Sequence, residues 1–466
     1  MKKGDYSSRL TELPFSKIFF RLAIPNLFST ITASLTVIFD LWYVGQIGTS
    51  ELAGVAYVFP IFMLTSMLSN GAFGGAISGA TARAFGRKDT FSAECIFRSA
   101  IIIALAGSIF MMSLFFGLAD TFFNFFLVDK EIAQLSLTYG KILLGGIVLV
   151  WLFNIIISVT RGSGNTKIPA IGWLIVLIFH MIAASMNFEY DNGQLIILEN
   201  VKLFNNLFVL SSLEWSAISF LLGYFAGIVF IITFYCFGKH PYNFQIKNIF
   251  NVSGIIPIIK SGSLASCQSI MTIALAMFCI TVIGTFGTNW TAGFGIAIRL
   301  ELLLIPVIFG VGGALIAIAG ANVGAKKYNR AVIMTWKGTS FSVFIVGSIG
   351  LFFSLYPDVW SSFFTDNNII KETSRSYLEI VAPFYIFFAL GLGLYFTCQA
   401  FNTLFWPVIG TLIRLLFVVI VTFSLFYMNI ASPYLLFITM SFGLIIYGTF
   451  IALSLHFGPW KNYYKS

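Results

Sequence analysis

Charge is scarce in this sequence. Only 10% of its 466 residues are Asp, Glu, Lys or Arg, whereas 58% are hydrophobic. Soluble domains carry about 25% charged residues, so the composition excludes an ordinary soluble fold. Apolar runs such as residues 100–119 and 215–237 are long enough to cross a hydrocarbon layer of about 30 Å as helices. We therefore predict an all-α polytopic membrane protein.

Cysteine and histidine are also rare, with five cysteines and three histidines spread widely along the chain. This spacing argues against a disulfide framework and against a zinc site. Neither an HExxH motif nor a GxxxxGK[ST] phosphate-binding loop occurs in the sequence. We therefore expect no catalytic residues, no metal and no cofactor, and a membrane-embedded enzyme remains only as an alternative.

The net charge of +9 is distributed as a membrane topology signal. Most Lys and Arg residues lie between alternate apolar runs, and such a bias marks the cytoplasmic side of a membrane. We expect both termini in the cytoplasm of a multi-pass protein of the cell (inner) membrane, and no nucleic-acid partner. The predicted spans number twelve and lie near 16–43, 51–80, 97–119, 132–160, 168–188, 207–237, 253–284, 291–321, 330–356, 373–403, 407–428 and 433–457.

An internal repeat divides the chain into two halves. The segment "GGAISGATARAFGRKD" (74–89) recurs as "GGALIAIAGANVGAKK" (312–327), and Pro169 and Gly172 recur as Pro407 and Gly410, all at an offset of 238 residues. Because that offset contains six spans, the two copies have the same membrane orientation, and transporters with such parallel repeats carry substrate between the halves. We predict two pseudo-symmetric six-helix lobes, residues 1–237 and 251–466, joined by a cytoplasmic linker at 238–250.

Asp40 interrupts the apolar stretch "VIFDLWYVGQIG" (37–48). A carboxylate within a membrane is costly, and removal from water favours its uncharged form, so the residue is a candidate proton-binding site. The alternative is that Asp40 lies near the outer end of the first helix and is hydrated there.

His180 lies within the apolar segment "IVLIFHMIAASM" (175–186). Histidine titrates near neutral pH, and an intramembrane histidine is a candidate proton relay. We expect that Asp40 and His180 could hold a proton together, and a histidine simply hydrogen-bonded to a neighbouring helix is the alternative.

Other polar residues interrupt the predicted spans. Arg299 and Glu301 lie two residues apart, on different sides of a helix, so at least one should face a cleft or pair with another helix. Glu301 could attract a cationic substrate, bind a second proton or form a static ion pair, and Arg414 could reach the cytoplasmic surface. Uncharged residues that could either line a cleft or join helices are Asn26, Asn70, Asn154 and Gln268.

Four segments together resemble the multidrug and toxic compound extrusion (MATE) transporters. They are "DLWYVGQIGTSELAGVA" (40–56), "GGAISGATARAFGRKD" (74–89), "SVTRGSGNTKIPA" (158–170) and "GIAIRLELLLIPVIFGVGG" (295–313). The resemblance implies two six-helix lobes around a central cleft that opens alternately to each side. It also implies export of organic, often cationic and amphipathic compounds, driven by entry of protons or sodium ions.

The resemblance also implies that Asp40 occupies the position of the acidic residue on the family's first helix. On the fifth helix, His180 and Ala184 stand where the family commonly has an asparagine and a second aspartate. Gln268 and Phe388 lie near the places where another branch carries acids in its second lobe. These departures favour protons over sodium as the coupling ion and leave the ion open.

From these observations we expect a secondary active efflux transporter, an antiporter that works as a monomer on small organic substrates in the membrane lipid. A flippase for lipid-linked precursors is the alternative transporter, which would need a cationic cleft to accept pyrophosphate. The predicted cation-coupling residues are Asp40 and His180. The predicted cleft residues are Asn154, Asn70, Gln268, Arg299 and Glu301.

Overall fold

The computed structural model describes residues 10–125, 129–191, 194–198, 200–203, 208–237 and 254–465, so the predicted linker at 238–250 lies outside the described residues. The first half of the chain forms six spans. These are α1 (Phe15–Ile47), α2 (Thr49–Gly86), α3 (Thr90–Phe125), α4 (Lys130–Gly145 and Ile147–Gly162), α5 (Lys167–Ser185) and α6 (Ser212–Phe237).

The second half repeats this order. Its spans are α7 (Ile255–Gly284), α8 (Thr288–Gly324), α9 (Tyr328–Leu355), α10 (Asn368–Phe401), α11 (Phe405–Tyr427) and α12 (Pro433–Phe457). Eleven of the twelve are long and apolar enough to cross a membrane by themselves, and the two parts of α4 pass together with a bend of 44°. The twelve predicted spans are therefore confirmed.

Equivalent turns of the two copies have the same backbone conformation. Lys88 and Lys326, which lie in the α2–α3 and α8–α9 turns, both have left-handed backbones, with φ of 58° and 61°. The two residues are related by the repeat offset of 238. The duplication thus extends from sequence to local geometry.

Three spans of the described structure depart from continuous α-helices. In α2, residues Met67–Phe73 form a π-helical segment, a feature that often marks functional regions of helices. In α4, Gly146 separates the two parts, and an added Cβ there would lie 2.3 Å from Leu221 Cδ1, so a larger residue would require the Leu221 side chain to move. In the second lobe, α10 is interrupted by a 3-10 turn at Ala382–Phe384, which lies at the repeat position of the α4 break.

Each half has its own apolar core. One core is built mainly from α1–α6, with Trp151, Phe153 and Tyr224 among its buried side chains. The other is built mainly from α7–α12, with Phe294 and Phe437. These cores match the two predicted six-helix lobes. A third buried cluster joins the lobes, because Phe19 and Leu22 of α1 pack with Val311 and Leu315 of α8.

The lobes meet closely at one end of the bundle. We call this the basic end; it carries the α2–α3 turn, the α8–α9 turn and the start of α1. A Cβ added to Gly86 would lie 2.0 Å from the Ala321 carbonyl oxygen, and one added to Gly324 would lie 2.1 Å from the Arg83 carbonyl oxygen. Because the two contacts are related by the repeat, they form one symmetric crossing of α2 and α8.

Arg83 strengthens this crossing with charge-assisted hydrogen bonds. Its Nη1 donates to the carbonyl oxygens of Gln399 and Ala400 at 2.9 and 2.8 Å, at the end of α10. Cations are stabilising at helix C-termini, so the contact favours lobe association at the basic end.

Between α5 and α6 the chain forms two small antiparallel sheets. Strand β1 (Phe188–Asp191) pairs with β2 (Gln194–Ile197), and β3 (Asn200–Leu203) pairs with β4 (Phe208–Ser211). Asn187 fixes the base of this segment, since its Nδ2 donates to the Tyr43 hydroxyl at 3.1 Å and to the Leu198 carbonyl at 3.0 Å.

Candidate functional site: a buried carboxylate in each lobe

Asp40 lies inside the first lobe and is only 4% exposed. Its neighbours come from three other spans: Tyr139 from α4, His180 from α5 and Ser216 from α6. The hydrated position near the outer helix end, weighed above as an alternative, does not fit this burial.

The hydrogens around Asp40 can be assigned from the network. The Tyr139 hydroxyl donates to Oδ2 at 2.6 Å, and the Ser216 hydroxyl donates to Oδ1 at 2.7 Å. Each hydroxyl has a single hydrogen, so both are used by the carboxylate. Two neutral donors of this kind stabilise an ionised carboxylate without neutralising it.

His180 is fully buried, with its Nε2 3.5 Å from Asp40 Oδ1. The Ser219 hydroxyl donates its hydrogen to the Ser216 carbonyl at 2.8 Å, so it accepts from His180 Nδ1, which lies 3.1 Å away. In neutral His180 the hydrogen therefore sits on Nδ1, and Nε2 carries a lone pair. That lone pair faces Oδ1, and Nε2 has no other hydrogen-bond partner in the described structure.

Aromatic rings hold the imidazole of His180 in place. Phe39 and Phe220 contact it edge to face, with ring centroids 5.1 and 5.3 Å away. Next to the carboxylate is a cavity of about 10 Å³, lined by Asp40, Tyr139 and apolar side chains. It is large enough for about one water molecule and too small for an organic substrate.

The second lobe contains a carboxylate cluster of different character. Glu301 on α8 is 9% exposed and accepts a hydrogen bond from the Tyr377 hydroxyl at 2.9 Å. Arg414 of α11 lies 3.7 Å from Glu301, between the rings of Phe388 and Tyr447. Arg414 is itself buried, so our expectation that it reaches the cytoplasmic surface was wrong.

The two clusters share one element of the repeat. Tyr139 and Tyr377 are separated by 238 residues, and each donates its hydroxyl to the buried acid of its own lobe. The acids are not equivalent, because Asp40 lies on the first span of its lobe and Glu301 on the second. Only Glu301 has an arginine partner.

A polar group with one arginine lies where the lobes meet. Arg161 of α4 is 4% exposed; its Nη2 donates to Asn70 at 2.8 Å, and its guanidinium lies 4.8 Å from the Phe309 ring of the other lobe. Asn154 donates to the Ser69 hydroxyl nearby at 2.9 Å. Within the described part of the chain, no carboxylate lies within ion-pair distance of Arg161.

The predicted site residues thus fall into separate places. The structure brings Asp40 and His180 together, places Asn70 and Asn154 beside Arg161, and places Gln268 against Tyr447 of the Glu301 cluster at 3.1 Å. Arg299 joins none of these groups: it is exposed, and its guanidinium lies over the Phe364 ring.

Sequence reasoning missed Tyr139, Ser216 and Arg161. The shared offset of Tyr139 and Tyr377 was a signal that could have singled out the tyrosine, whereas Ser216 is one hydroxyl among many and carries no such signal. Among the described residues, no three His, Cys, Asp or Glu side chains come together as metal ligands.

Two repeated six-helix lobes, each with a buried acid, define a multi-pass membrane transporter. The model of the MatE family matches residues 25–186 and 265–424, one match in each lobe. The chain therefore belongs to the MatE family of multidrug efflux transporters.

Individual relatives agree with this assignment. The chain is 25% identical over 379 residues to a probable multidrug resistance protein NorM of Oceanobacillus iheyensis, covering 79% of this chain and 80% of that protein. It is 21% identical over 331 residues to an FAD transporter of Shewanella oneidensis, covering 69% and 68% of the two chains.

Solved structures share the fold. A crystal structure of MATE in complex with MaL6 superposes with a TM-score of 0.83 at 19% identity, covering 100% of both chains. An outward-facing MATE family transporter of the MOP superfamily also gives 0.83 at 19% identity, covering 99% of both chains.

Proposed function

We propose that this protein exports small organic compounds by antiport with protons, and that Asp40 and His180 form the coupling site. The observation that carries the proposal is the gap between Asp40 Oδ1 and His180 Nε2, which are 3.5 Å apart. An ionised carboxylate and the lone pair of a neutral imidazole repel each other. One proton between the two atoms turns that repulsion into a charge-assisted hydrogen bond.

Protons suit this site better than sodium. Hard cations such as sodium prefer a shell of oxygen ligands, whereas one face of Asp40 is occupied by an imidazole ring packed between Phe39 and Phe220. The position four residues after His180, which carries a second aspartate in many family members, is Ala184 here. The site thus has a single carboxylate and little space for a hydrated ion.

Span α1 connects the coupling site to the interface of the lobes. It carries Asp40 near one end and Asn26 near its middle, and the Asn26 amide donates to the Gly310 carbonyl of α8 at 2.7 Å. When a proton enters between Oδ1 and Nε2, a charge-assisted hydrogen bond replaces the repulsion and draws the Asp40 carboxylate of α1 toward His180 of α5. A shift of α1 that follows would act on its contact with α8.

For the substrate we propose cationic amphipathic compounds, because the chain is rich in aromatic residues that can contact flat cations. A second candidate is compounds with an anionic group. Arg161 is a buried cation without an acidic partner among the described residues, and the related protein of Shewanella oneidensis is an FAD transporter. In one export assay, a flat organic cation and a flavin nucleotide are each added as a competitor. The compound that inhibits export shows which of the two candidate substrate classes the protein binds.

We further propose a monomer in the cell inner membrane with both termini in the cytoplasm. The basic end of the bundle carries Arg83, Arg87, Lys88, Lys326 and Lys327, and an excess of Lys and Arg marks the cytoplasmic side. Labelling of single cysteines placed at residues 88 and 326 in intact cells tests the orientation. Protection from an impermeant reagent supports it.

The test of the coupling site is drug uptake into everted vesicles under an imposed pH gradient. We expect Asp40→Asn to lose gradient-dependent transport by at least tenfold, since the amide cannot exchange a proton. Asp366→Asn, which changes a fully exposed acid, is the matched control and should transport like the parent protein. Undiminished gradient dependence in Asp40→Asn would refute the proposal, and stimulation by a sodium gradient alone would refute proton coupling.

A further inference from the structure

A concave basic groove lies at the basic end, away from both carboxylate clusters. It has a volume of about 590 Å³ and lies between the start of α1 and the first three turns of α9. Its cationic rim and apolar floor are formed by Lys326, Lys327, Arg330, Lys337, Phe15 and Ile333. A volume of this size is in the range of small-ligand sites.

The charges of the groove share one helix face. Lys327, Arg330, Met334 and Lys337 follow a spacing of three and four residues, so they line the same side of α9. Glu12 is the acidic residue whose charge acts on Arg330, and it is exposed. Four cations therefore face one acid in the described structure.

The charge of Lys337 is not explained by membrane topology alone. Positive residues that orient a membrane protein lie at the ends of spans. Lys337 lies ten residues after Lys327, about 15 Å further along the helix. Its ammonium group must extend back toward the membrane surface along the groove.

The other copy of the repeat carries only part of this charge. At the offset of 238 residues, Lys327, Arg330 and Lys337 correspond to Asp89, Ser92 and Ser99. The counterpart cavity between α3 and α7 has a volume of about 200 Å³, and the guanidinium of its Arg83 is bound by the Gln399 and Ala400 carbonyls. Arg87 also lines that cavity, and Lys88 is the counterpart of Lys326. The groove therefore differs from its counterpart by three added cations and a larger volume.

The surroundings of the groove identify what it would bind. Its rim lies in the turn between two membrane spans, which is the depth of lipid headgroups. Ile333 of its floor is 43% exposed, and further exposed apolar side chains lie along the same two spans: Phe20 of α1 is 43% exposed and Phe344 of α9 is 72% exposed. A ligand that fits both parts has an anionic head and apolar chains.

We propose that the groove binds the phosphate headgroup of an anionic phospholipid. Lys326, Lys337 and Arg330 surround the phosphate, and the acyl chains follow α1 and α9 into the membrane. Basic pockets between spans on the cytoplasmic side are suited to such lipids. Because Arg330 also donates to the Leu13 carbonyl and Lys327 to the Thr11 carbonyl at 3.2 Å, the lipid binds where the two lobes are joined.

The experiment measures phosphatidylglycerol retained by the purified full-length protein in native mass spectrometry and its stabilisation in thermal unfolding. The test variant is Lys326→Gln/Lys337→Gln. Neither side chain makes a hydrogen bond or ion pair in the described structure, so the fold should persist, as unfolding in a zwitterionic detergent will check. The matched control is Lys17→Gln/Arg21→Gln, which removes two exposed charges of α1 outside the groove.

We expect the groove variant to bind phosphatidylglycerol at least tenfold more weakly, since it removes two of the four cations that line the groove. The control variant should bind within twofold of the parent. Equal weakening in both variants would mean that general surface charge attracts the lipid and would overturn the proposal. Displacement by inorganic phosphate at equal concentration would overturn it as well, because the ligand would then be a free anion.

Discussion

At the scale of single residues, the tyrosine of each carboxylate cluster distinguishes the two lobes. Tyr139 donates to an acid whose other partners, Ser216 and His180, carry no permanent charge, whereas Tyr377 donates to an acid beside Arg414. A nearby cation stabilises the ionised form of an acid by Coulomb attraction, and an acid with neutral partners lacks that stabilisation. The repeated tyrosine hydroxyl therefore donates to an acid with neutral partners in the first lobe and to an acid with an arginine partner in the second lobe.

Tyr139→Phe should shift the pH dependence of transport without abolishing it. The lost hydroxyl stabilises ionised Asp40, and a hydrogen bond to a charged group contributes about 1.5–3 kcal/mol. We expect the pH of half-maximal gradient-driven uptake to rise by about one unit, because about 1.4 kcal/mol corresponds to one unit. Uptake in proteoliposomes over a series of external pH values measures it.

The repeat supplies the control for this experiment. Tyr377→Phe removes the equivalent hydroxyl from Glu301, which keeps Arg414 as its partner. Its pH profile should match that of the parent protein. If both variants shift the profile equally, the difference between the two acids that we infer is wrong.

At the scale of helices and turns, the charged cap of α3 can be tested directly. Asp89 precedes the helix, and its Oδ1 accepts from the backbone N–H of Ser92 at 2.9 Å. Hydrogen bonds from the Ser92 side chain and backbone keep the pKa of Asp89 below its usual value. The cap is therefore formed at neutral pH and is lost as the pH falls through that lowered value.

Asp89→Ala should lower the stability by about 1 kcal/mol at neutral pH, the usual effect of removing an N-cap side chain. Asp89→Asn keeps the acceptor oxygen and should retain most of the stability. Reversible thermal unfolding in detergent compares the three proteins. Identical unfolding of Asp89→Ala and the parent would mean that α3 does not depend on this cap.

The sequence was sufficient to predict the spans but not their irregularities. Hydropathy and length identify the twelve spans because the membrane requires long apolar helices. The π-helical segment of α2 and the sheets between α5 and α6 depend on contacts that periodicity does not reveal. In particular, the sequence places residues 189–205 only between the predicted spans 168–188 and 207–237.

The candidate site was predictable only in part. Asp40 and His180 are conspicuous because ionisable residues are rare in apolar spans. Arg161 was overlooked because it lies next to "GSGN", which is typical of an exposed turn. Its burial results from packing between lobes, with Phe309 of α8 over its guanidinium, and that packing involves residues far apart in the sequence.

At the scale of the whole molecule, the crossing of α2 and α8 determines how the lobes can separate. A Cβ added to Gly86 or Gly324 would lie only 2.0 or 2.1 Å from a backbone carbonyl oxygen of the other lobe, which is a severe clash. Because backbone atoms at a crossing of two helices cannot give way, the helices must move apart. Substitution of either glycine should therefore weaken lobe closure at the basic end.

Reactivity of Cys398 measures this effect. The residue is fully buried in α10, next to Gln399, whose carbonyl accepts from Arg83. In a background without the exposed Cys236 and Cys267, we expect Gly86→Ala and Gly324→Ala to raise maleimide labelling of Cys398 severalfold. Gly117→Ala is the control, since an added Cβ meets nothing within 4 Å there. Labelling equal to that of the control would contradict the prediction.

The backbone contacts at Gly86 and Gly324 also bear on energy conservation. Where two main chains touch without intervening side chains, no continuous chain of water molecules fits between them. An exporter driven by an ion gradient dissipates that gradient if ions cross the protein without transport of substrate. The absence of two β-carbons lets the main chains of α2 and α8 touch at the crossing. Under the proposed antiport, this contact would restrict the passage of ions between the lobes at the basic end, and a methyl group at either position would weaken it.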